Sequence, residues 1–241
     1  MSIAAVPVFS VVRSGERAHA EHGWLDTYYS FSFADYVDPK NLNWGALRVF
    51  NDDTIAGGGG FPEHPHRDME IVTYVLSGDL AHRDSMGNHG VVGPGGIQFM
   101  SAGTGVRHSE FNNKRDEALH LVQMWVLPGR LGMPPSYGQM AFSPDDRRNR
   151  WLTVVSGDSS VEAPIRITQR ASLRVATVEG TTIVADFEPE RYGFLFVASG
   201  TVEANGTALG AGDSVRLYDV SRLAVRGDGE LVLWDLPGVS E

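Results

Sequence analysis

One stretch of this chain occurs twice, and that repeat is the strongest constraint on its fold. Residues 69–78 form a mainly apolar run that ends in Ser-Gly; a turn with Gly87-Asn88 and a glycine-rich turn follow, and residues 121–128 close with Trp-x-Leu-Pro. Residues 192–200 also end in Ser-Gly, and Asn205-Gly206, a glycine-containing turn and a second Trp-x-Leu-Pro follow in the same order. Short apolar runs joined by such turns are typical of β-strands. The repeat therefore predicts two copies of one small β-barrel.

The rest of the chain agrees with an all-β fold. Its 28 glycines and 12 prolines lie between short runs rich in valine, isoleucine, leucine and aromatic residues, and no long amphipathic helix is visible. A chain of 241 residues has room for two small domains. We expect two jelly-roll-like β-barrels packed in one chain: residues 1–128, a linker at 129–150 rich in Gly, Pro, Ser and Arg, and residues 151–241.

Charge and composition exclude several classes of partner. Twenty basic and thirty acidic side chains give a net charge of −10, which repels phosphate backbones and anionic lipid. The absence of cysteine excludes disulfides and thiolate metal sites. No run approaches the ~18 apolar residues of a membrane helix, and residues 1–12 lack the basic start of a secretory signal. We expect a cytoplasmic protein with no direct nucleic-acid partner and no membrane partner.

The histidines are distributed unequally between the two copies. All eight precede the second copy, at positions 19, 22, 64, 66, 82, 89, 108 and 120. A metal site built from imidazoles must therefore lie in the first copy. The second copy is expected to lack metal ligands.

Two pairs of metal-ligand side chains have the spacing of one strand face. His64 and His66 are two positions apart, as are His108 and Glu110, and alternate residues of a strand point to the same side. If the two strands face each other in a barrel, the pairs close a site of three histidines and one carboxylate with one or two open positions for a catalytic divalent ion. We predict one divalent transition-metal ion per chain, held by His64, His66, His108 and Glu110.

Other candidates in the first copy have alternative interpretations. Glu70 shares the strand parity of His64 and His66, so it is the rival carboxylate, either as a ligand or as a group that orients a histidine. Asp68 is expected to be solvated or to have a similar supporting role. The glycine run at residues 57–60 lacks a following Lys-Ser or Lys-Thr and a helix, so we expect it to bend the chain before the ligand strand rather than to bind phosphate.

The remaining histidines are expected to lie outside the site. His82 and His89 lie in or beside the hairpin that contains Asn88, and we expect both to be solvated. His19 and His22 belong to a polar entry segment. His120 is expected to be a hydrogen-bonded core residue because it shares a strand face with Val122 and Met124.

Two spaced motifs resemble those of the cupins. Gly58, five residues, His64-x-His66, three residues, Glu70 and then Gly78 resemble the first cupin motif, with one residue more than usual before the last glycine. Gly105, His108 and Asn112 resemble the core of the second motif, with Gly103 where cupins usually have proline. More narrowly, the segments that resemble the pirin family of bicupins, closest to its bacterial quercetin 2,3-dioxygenases, are residues 22–26, 31–33, 64–70, 82–88 and 100–110.

The resemblance implies a fold, a metal site and a reaction. It implies two cupins, with a metal held by His64, His66, His108 and Glu110 in the first and none in the second. It also implies a dioxygenase that cleaves a flavonol such as quercetin with O2 and releases carbon monoxide. Iron is the expected ion, and manganese, nickel, cobalt, copper and zinc are alternatives, because three nitrogens and one oxygen do not discriminate among them.

The expected chemistry needs a base and a pocket. Glu110 is the expected general base, because a carboxylate beside the open coordination position can reach the proton of a phenolic hydroxyl. Phe99 or Met100, on the strand before His108, is expected to wall a pocket for a small planar aromatic substrate.

A different class of function is the alternative. Eukaryotic pirins resemble metal-dependent partners of transcription factors, so the chain could instead be a metal or redox sensor that acts through a protein partner. A third option is another cupin enzyme, such as an isomerase or a different dioxygenase. Turnover with O2 consumption distinguishes an enzyme from a sensor.

Overall fold

Runs of β-branched and aromatic residues between glycine turns fold into strands along almost the whole chain. The computed structural model describes residues 6–239, and within that range the chain forms nineteen strands, one helix (α1, Pro144–Arg147) and one 3-10 turn (Ser14–Glu16). The predicted all-β fold is confirmed. No helix in this range is long and apolar enough to cross a membrane.

The N-terminal half contributes two sheets. Its strands are β1 (Val8–Val12), β2 (Ala18–Glu21), β3 (Leu25–Tyr29), β4 (Leu47–Ile55), β5 (Gly60–His66), β6 (Glu70–Ser77), β7 (Leu80–Asp84), β8 (His89–Val92), β9 (Ile97–Ser101), β10 (Val106–Asn112), β11 (Leu119–Val126) and β12 (Ser136–Met140). One sheet has four strands in the order β5-β10-β7-β8. The other has seven, in the order β12-β9-β6-β11-β4-β3-β2.

The C-terminal half is built on one sheet with longer strands. Its strands are β13 (Leu152–Ser156), β14 (Ile165–Arg166), β15 (Ser172–Asp186), β16 (Tyr192–Ala204), β17 (Thr207–Gly210), β18 (Ser214–Tyr218) and β19 (Arg222–Leu236). Their order is β1-β18-β16-β19-β15-β13-β14, and β17 pairs with β16. Register shifts in the pairing of β15 and β16 with β19 mark β-bulges, which let long strands bend.

The two halves repeat one strand order. The order β9-β6-β11-β4 in the first half matches β18-β16-β19-β15 in the second. The two Ser-Gly turns also match, because Gly78 and Gly200 have φ values of +79° and +82°. A Cβ at either glycine would lie 2.8 Å from the carbonyl oxygen of Ala118 or 2.1 Å from that of Asp228, so both turns require glycine. These observations confirm the two copies.

Two edge strands cross the predicted domain boundaries. Strand β1 pairs with β18 of the C-terminal sheet, although it falls within residues 1–128. Strand β12 and helix α1 fall within the predicted linker, and β12 extends the N-terminal sheet by pairing with β9. Each sheet thus gains an edge strand from outside the repeated unit. Apart from these segments, the boundaries 1–128, 129–150 and 151–241 stay predictions.

The largest core cluster lies between the two halves. It joins Phe50, Tyr74 and Met124 of the first half to Phe194 and Trp234 of the second, and the Trp234 indole Nε1 donates to Sδ of Met124 at 3.0 Å. A second large cluster fills the interior of the C-terminal half. The interior of the N-terminal half holds two smaller clusters, and it also holds the candidate site.

Candidate metal centre

Strands β5 and β10 bring three histidines together. The strands pair antiparallel, with His64 opposite His108 and His66 opposite Val106. The ring centroids of His66 and His108 lie 4.8 and 4.5 Å from that of His64 and 4.9 Å from each other. The candidate ligand nitrogens of the three residues all lie within 4.8 Å of one another. The two-residue spacing on β5 accounts for the shared face of His64 and His66.

Local contacts orient the imidazoles. The carbonyl of Pro62 accepts a hydrogen bond from Nδ1 of His64 at 2.8 Å, so Nε2 keeps its lone pair. That Nε2 lies 3.0 Å from Nε2 of His108. His66 packs edge-on against Trp125, with ring centroids 4.8 Å apart. The imidazole nitrogens therefore converge on one point between the strands.

Two of the histidines, His66 and His108, are held in the neutral form that metals bind. Burial lowers the pKa of His66 to about 4, and the neighbouring His108 and His64 contribute to the same shift. Burial lowers the pKa of His108 to about 3, and the neighbouring His64 and His82 contribute to the same shift. At neutral pH these two rings therefore carry no charge and present a lone pair.

The Glu110 carboxylate is buried and held by two amides of the facing sheet. Gln98 Nε2 donates to one oxygen at 2.5 Å and Gln123 Nε2 to the other at 2.7 Å. Trp125 Nε1 donates to Oε1 of Gln123 at 3.1 Å, which fixes the orientation of that amide. Gln98 and Gln123 flank Thr73 in one cross-strand row. Sequence reasoning missed this row because its members come from three separate strands.

His82 is part of the same region, and the prediction that it is solvated is wrong. It is 2% exposed, its ring stacks on Tyr137 at 4.3 Å, and its Nε2 lies 3.2 Å from Oδ2 of Asp84. The reason is that β7 pairs with β10, which puts His82 opposite Glu110, while β12 supplies Tyr137 as a cover. His82, His108 and Glu110 form a second group of ligand atoms within 4.8 Å, which shares only His108 with the first group.

The Asp84 carboxylate next to His82 is held in its charged form. Burial opposes ionisation of Asp84, but hydrogen bonds from Asn88 and His82 lower its pKa overall. A hydrogen bond from His82 to a charged carboxylate fixes the orientation of that ring.

Glu70 does not orient a histidine, which corrects that alternative. Strand β5 ends at His66, and the chain turns at Asp68, which has a φ of +46°. Strand β6 then continues in the other sheet. The alternation of β5 therefore does not extend to Glu70, which does not share a face with His64 and His66. The fully buried Glu70 accepts hydrogen bonds at Oε1 from the backbone N–H of Thr168 at 3.0 Å and from its hydroxyl at 2.6 Å. Glu70 therefore joins the two halves of the molecule. Asp68 accepts a hydrogen bond from the Gly132 amide at 2.7 Å.

The other histidines lie away from the cluster. The His120 side chain is 34% exposed and its Nε2 lies 2.7 Å from Oδ1 of Asp52, so it is hydrogen-bonded as predicted but is not a core residue. Strand β11 is bordered there by a surface cleft rather than by packed side chains. His22 and His89 are exposed. His19 stacks on Tyr28 at 4.5 Å.

A cavity of about 370 Å³ opens beside the histidines. His64, His66 and Glu110 line one side, and its apolar walls are Leu25, Tyr29, Phe33, Phe61 and Trp125. The predicted wall is wrong: Phe99 belongs to the core between the halves, and Met100 packs in another buried cluster. Neither residue lines the cavity, and the side chain of β9 that reaches the site is Gln98, through its contact with Glu110. Phe33, which does line the cavity, belongs to residues 31–33, one of the segments that resemble the pirin family.

The same cavity has a polar side. Thr27, Asn51 and Asp53, on β3 and β4, line it and are at most 3% exposed. Burial raises the pKa of Asp53 to about 7; the nearby Thr27 hydroxyl opposes this, and the charges of Asp52 and Glu110 add to it. Sequence reasoning gave no indication of this polar side.

The residues present fit a divalent transition-metal ion. The ligand nitrogens of His64, His66 and His108 lie within 4.8 Å of one another, whereas Glu110 is grouped with His108 and His82 and not with His64 and His66. Imidazole nitrogens and a carboxylate suit such an ion. His64 donates from its second ring nitrogen to a backbone carbonyl, as metal-bound histidines usually do. The cluster is therefore compatible with a divalent ion.

Two cupin sandwiches with a histidine cluster in the first define a bicupin. Residues 11–126 match the Pirin family and residues 153–236 match the quercetinase C-terminal cupin domain. The chain is 41% identical over 230 residues to a quercetin 2,3-dioxygenase of Escherichia coli K12, covering 94% of this chain and 98% of that protein. It is 44% identical over 220 residues to a pirin-like protein of Caulobacter vibrioides, covering 90% and 94%.

A solved structure agrees with these relatives. The bacterial pirin YhhW from Escherichia coli, in complex with nickel(II), has a TM-score of 0.89 and 39% identity, covering 96% of this chain and 100% of that one. The chain belongs to the pirin family.

Proposed function

We propose that this protein is a metal-dependent dioxygenase that cleaves a flavonol such as quercetin with one O2 and releases carbon monoxide. The observation that carries the proposal is the cavity of about 370 Å³, which has aromatic walls and is lined by two histidines of the cluster and Glu110. Its volume lies within the range of small-molecule sites. Relatives that match nearly the whole chain are named quercetin 2,3-dioxygenase.

We propose His64, His66, His108 and Glu110 as the metal ligands. A bound divalent ion would supply Lewis acidity and a template for the substrate oxygen. Iron is the expected ion, and the nickel(II) complex of YhhW concerns that protein. The rival carboxylate Glu70 is left out of the ligand set because Thr168 engages it.

The proposed roles of the other side chains follow from their contacts. Trp125 and Phe33, whose rings meet edge to face at 5.3 Å, offer apolar surfaces for the flat rings of the substrate. Glu110 accepts the proton of the enol hydroxyl, and the amides of Gln98 and Gln123 hold its carboxylate in place while it does so. The buried walls keep water away from the reacting ring.

The test is turnover by protein loaded in turn with iron(II), nickel(II) or manganese(II). Quercetin loss, O2 uptake and trapped carbon monoxide are measured together, with the metal-free protein as control. The proposal predicts a ratio of one to one to one that requires the metal. Metal-loaded protein that binds quercetin without consuming it would contradict the enzyme and favour the regulatory alternative.

A further inference from the structure

The ring of His82 lies next to that of His108 in the interior of the first half. The ring centroids are 5.3 Å apart, and one ring nitrogen of each residue lies within 4.8 Å of one of the other. Nε2 of His82 lies 3.2 Å from Oδ2 of Asp84, and Nε2 of His108 lies 3.0 Å from Nε2 of His64. The second nitrogen, Nδ1, is buried in both rings and has no hydrogen-bond partner among residues 6–239.

Asp84 determines which nitrogen of His82 carries the hydrogen. Its Oδ1 accepts hydrogen bonds from the backbone N–H groups of Met86 and Asn88 at 2.9 and 3.0 Å. Its Oδ2 accepts one from the side-chain amide of Asn88 at 2.9 Å and also faces Nε2 of His82. An ionised carboxylate can only accept, so Nε2 of His82 is the donor. Nδ1 of the neutral ring therefore has a lone pair.

His108 requires the opposite arrangement if it binds a metal. A ligand histidine gives the lone pair of one nitrogen to the ion, and its other nitrogen carries the hydrogen. Nε2 of His108 faces His64, so Nδ1 is the N–H donor. A buried donor without a partner is unfavourable, and Nδ1 of His82 is the complementary acceptor on the neighbouring ring. A small rotation of one ring, or one buried water, is enough to join the two nitrogens.

We propose that His82 is a positioning residue for the metal: its Nδ1 accepts the hydrogen bond of the His108 Nδ1–H, and Asp84 holds His82 in the tautomer that can do so. This inference rests on the proposed ligand role of His108, but on neither the substrate nor the reaction. Such a hydrogen bond orients the ligand imidazole and makes it a better donor to the ion. The site then extends from the histidine cluster through His82 to the hairpin that contains Asp84.

The first measurement is the tautomer of each histidine. Long-range proton–nitrogen NMR correlations are recorded on protein loaded with zinc(II), which is diamagnetic. The expected result is hydrogen on Nε2 of His82 and on Nδ1 of His108. In Asp84→Asn, the two backbone N–H groups keep the amide oxygen at the place of Oδ1, so the amide hydrogens face His82. The hydrogen of His82 is then expected to move to Nδ1, which places two donors against each other.

The second measurement is zinc(II) affinity, by competition with a chelator. Asp84→Asn is expected to lower the affinity about 10 to 100-fold, as loss of the contacts that orient a ligand usually does. Asp26→Asn is the matched control. Asp26 forms the same kind of pair with Nε2 of His19 at 3.0 Å, but both side chains are exposed and neither belongs to the histidine cluster. The control is expected to keep the wild-type affinity.

Two changes at His82 separate hydrogen bonding from packing. His82→Phe keeps a ring that can stack on Tyr137 but has no acceptor, whereas His82→Asn loses the ring but keeps an acceptor near the place of Nδ1. The Asn variant is expected to bind zinc(II) about tenfold more tightly than the Phe variant. The Phe variant is expected to have the higher melting temperature without metal, because it leaves less empty space. A role in packing alone would give the same order in both measurements.

Three results would overturn the inference and leave the ligand set standing: hydrogen on Nδ1 of His82 in wild type, wild-type affinity in Asp84→Asn, or tighter zinc(II) binding by the Phe variant than by the Asn variant. If the variants do not fold, the tautomers of the wild type decide. If wild type binds no zinc(II), or if binding leaves the His108 signals unchanged, the proposed ligand set fails and the inference fails with it.

Discussion

In the N-terminal half, facing strands carry histidines, whereas the matching strand segments of the C-terminal half carry aliphatic residues. His108 lies opposite His64 on β5 and Asp84 on β7. Val225 lies opposite Ile183 on β15 and Ala204 on β16. Counted from the matching turns at Gly78 and Gly200, Ala204 takes the position of His82, and Val225, opposite Ala204, takes that of Glu110.

The comparison of the two interiors distinguishes what the fold requires from what a metal site requires. Ile183, Ala185 and Val225 belong to the buried cluster of the second half, where each buried methylene contributes about 0.8 kcal/mol. The first half keeps the strand order but buries amides and a carboxylate, whose hydrogen bonds have a small net effect on stability. The cupin sandwich thus forms with either interior, and only the first contains histidines.

The backbone differs at the same place. Strand β15 runs without interruption through residues 172–186, whereas β4 ends at Ile55 and β5 begins at Gly60 in another sheet. At Gly57 a Cβ would lie 2.2 Å from the carbonyl oxygen of Arg115, so the chain can turn there only with glycine. This break agrees with the bend expected at residues 57–60, and it places β4 and β5 in different sheets.

The largest expected effect comes from Glu110→Gln. The change keeps the shape but removes the charge and the proton acceptor, so turnover should fall by about 10² to 10⁴. Metal content should persist in part on the histidines. Activity and metal occupancy are measured on the same sample, because an empty site would say nothing about base chemistry. Turnover within about threefold of wild type at equal occupancy would contradict the role of Glu110.

The next effect concerns the amide that holds Glu110. Gln123→Leu removes the N–H that donates at 2.7 Å, and loss of such supporting contacts lowers metal affinity about 10 to 100-fold. Ile183→Val, in the matching interior, is the control: it should cost about 0.5–1.5 kcal/mol of unfolding free energy and leave metal affinity unchanged. Equal metal affinities in all three proteins would show that Gln123 does not support the site.

A smaller effect is expected at the contact between the halves. Thr168→Val removes the hydroxyl that donates to the buried Glu70, which should cost about 1–3 kcal/mol in denaturant unfolding. Thr182→Val, at an exposed position of β15, should cost little. Metal content should stay at the wild-type level in both. Loss of metal from the Thr168 variant would mean that Glu70 acts on the metal site after all.

The smallest effect is a pH dependence in metal-free protein. The pKa values of His66 and His108 are about 4 and about 3, below the ordinary 6.5, so between these values the unfolded chain binds more protons than the folded one. Their contribution to stability therefore falls as pH decreases from about 6.5 towards 4. The raised pKa of Asp53 acts in the opposite direction, since its contribution falls as pH rises towards about 7.

Because the two effects oppose each other, variants rather than absolute slopes test this dependence. His66→Gln should make the unfolding free energy less sensitive to acid between these pH values. His89→Gln, at an exposed position, should keep the wild-type slope. Identical slopes for all three proteins would contradict the stated effect of burial on His66.

Strand alternation predicted side-chain positions only within a single strand. His64 and His66 share a face because both belong to β5, but Glu70 lies beyond a turn where the parity is lost. The two repeated tryptophans show the same limit: Trp125 lines the cavity, whereas Trp234 lies in the core between the halves. A register shift at Trp125 in β11 accompanies this difference, and a shift of one residue reverses the face of a side chain.

Contacts between separate strands could not be obtained from the sequence. Gln98 and Gln123 meet Glu110 through sheet register and sheet packing, which no local spacing encodes. His82 is buried by Tyr137, a residue of the predicted linker. The cavity wall Phe33 likewise comes from a segment distant along the chain from His64 and His108. The fold followed from local turn signals and the repeat, whereas the surroundings of the site depended on tertiary packing.

Metal stoichiometry tests the difference between the two halves most directly. Elemental analysis is made on wild type and on His66→Ala after loading with iron(II) and removal of unbound ion. One ion per chain in wild type, and little or none in the variant, is the predicted result. Two ions per chain, or full occupancy in the variant, would contradict the account that only the N-terminal half holds the metal.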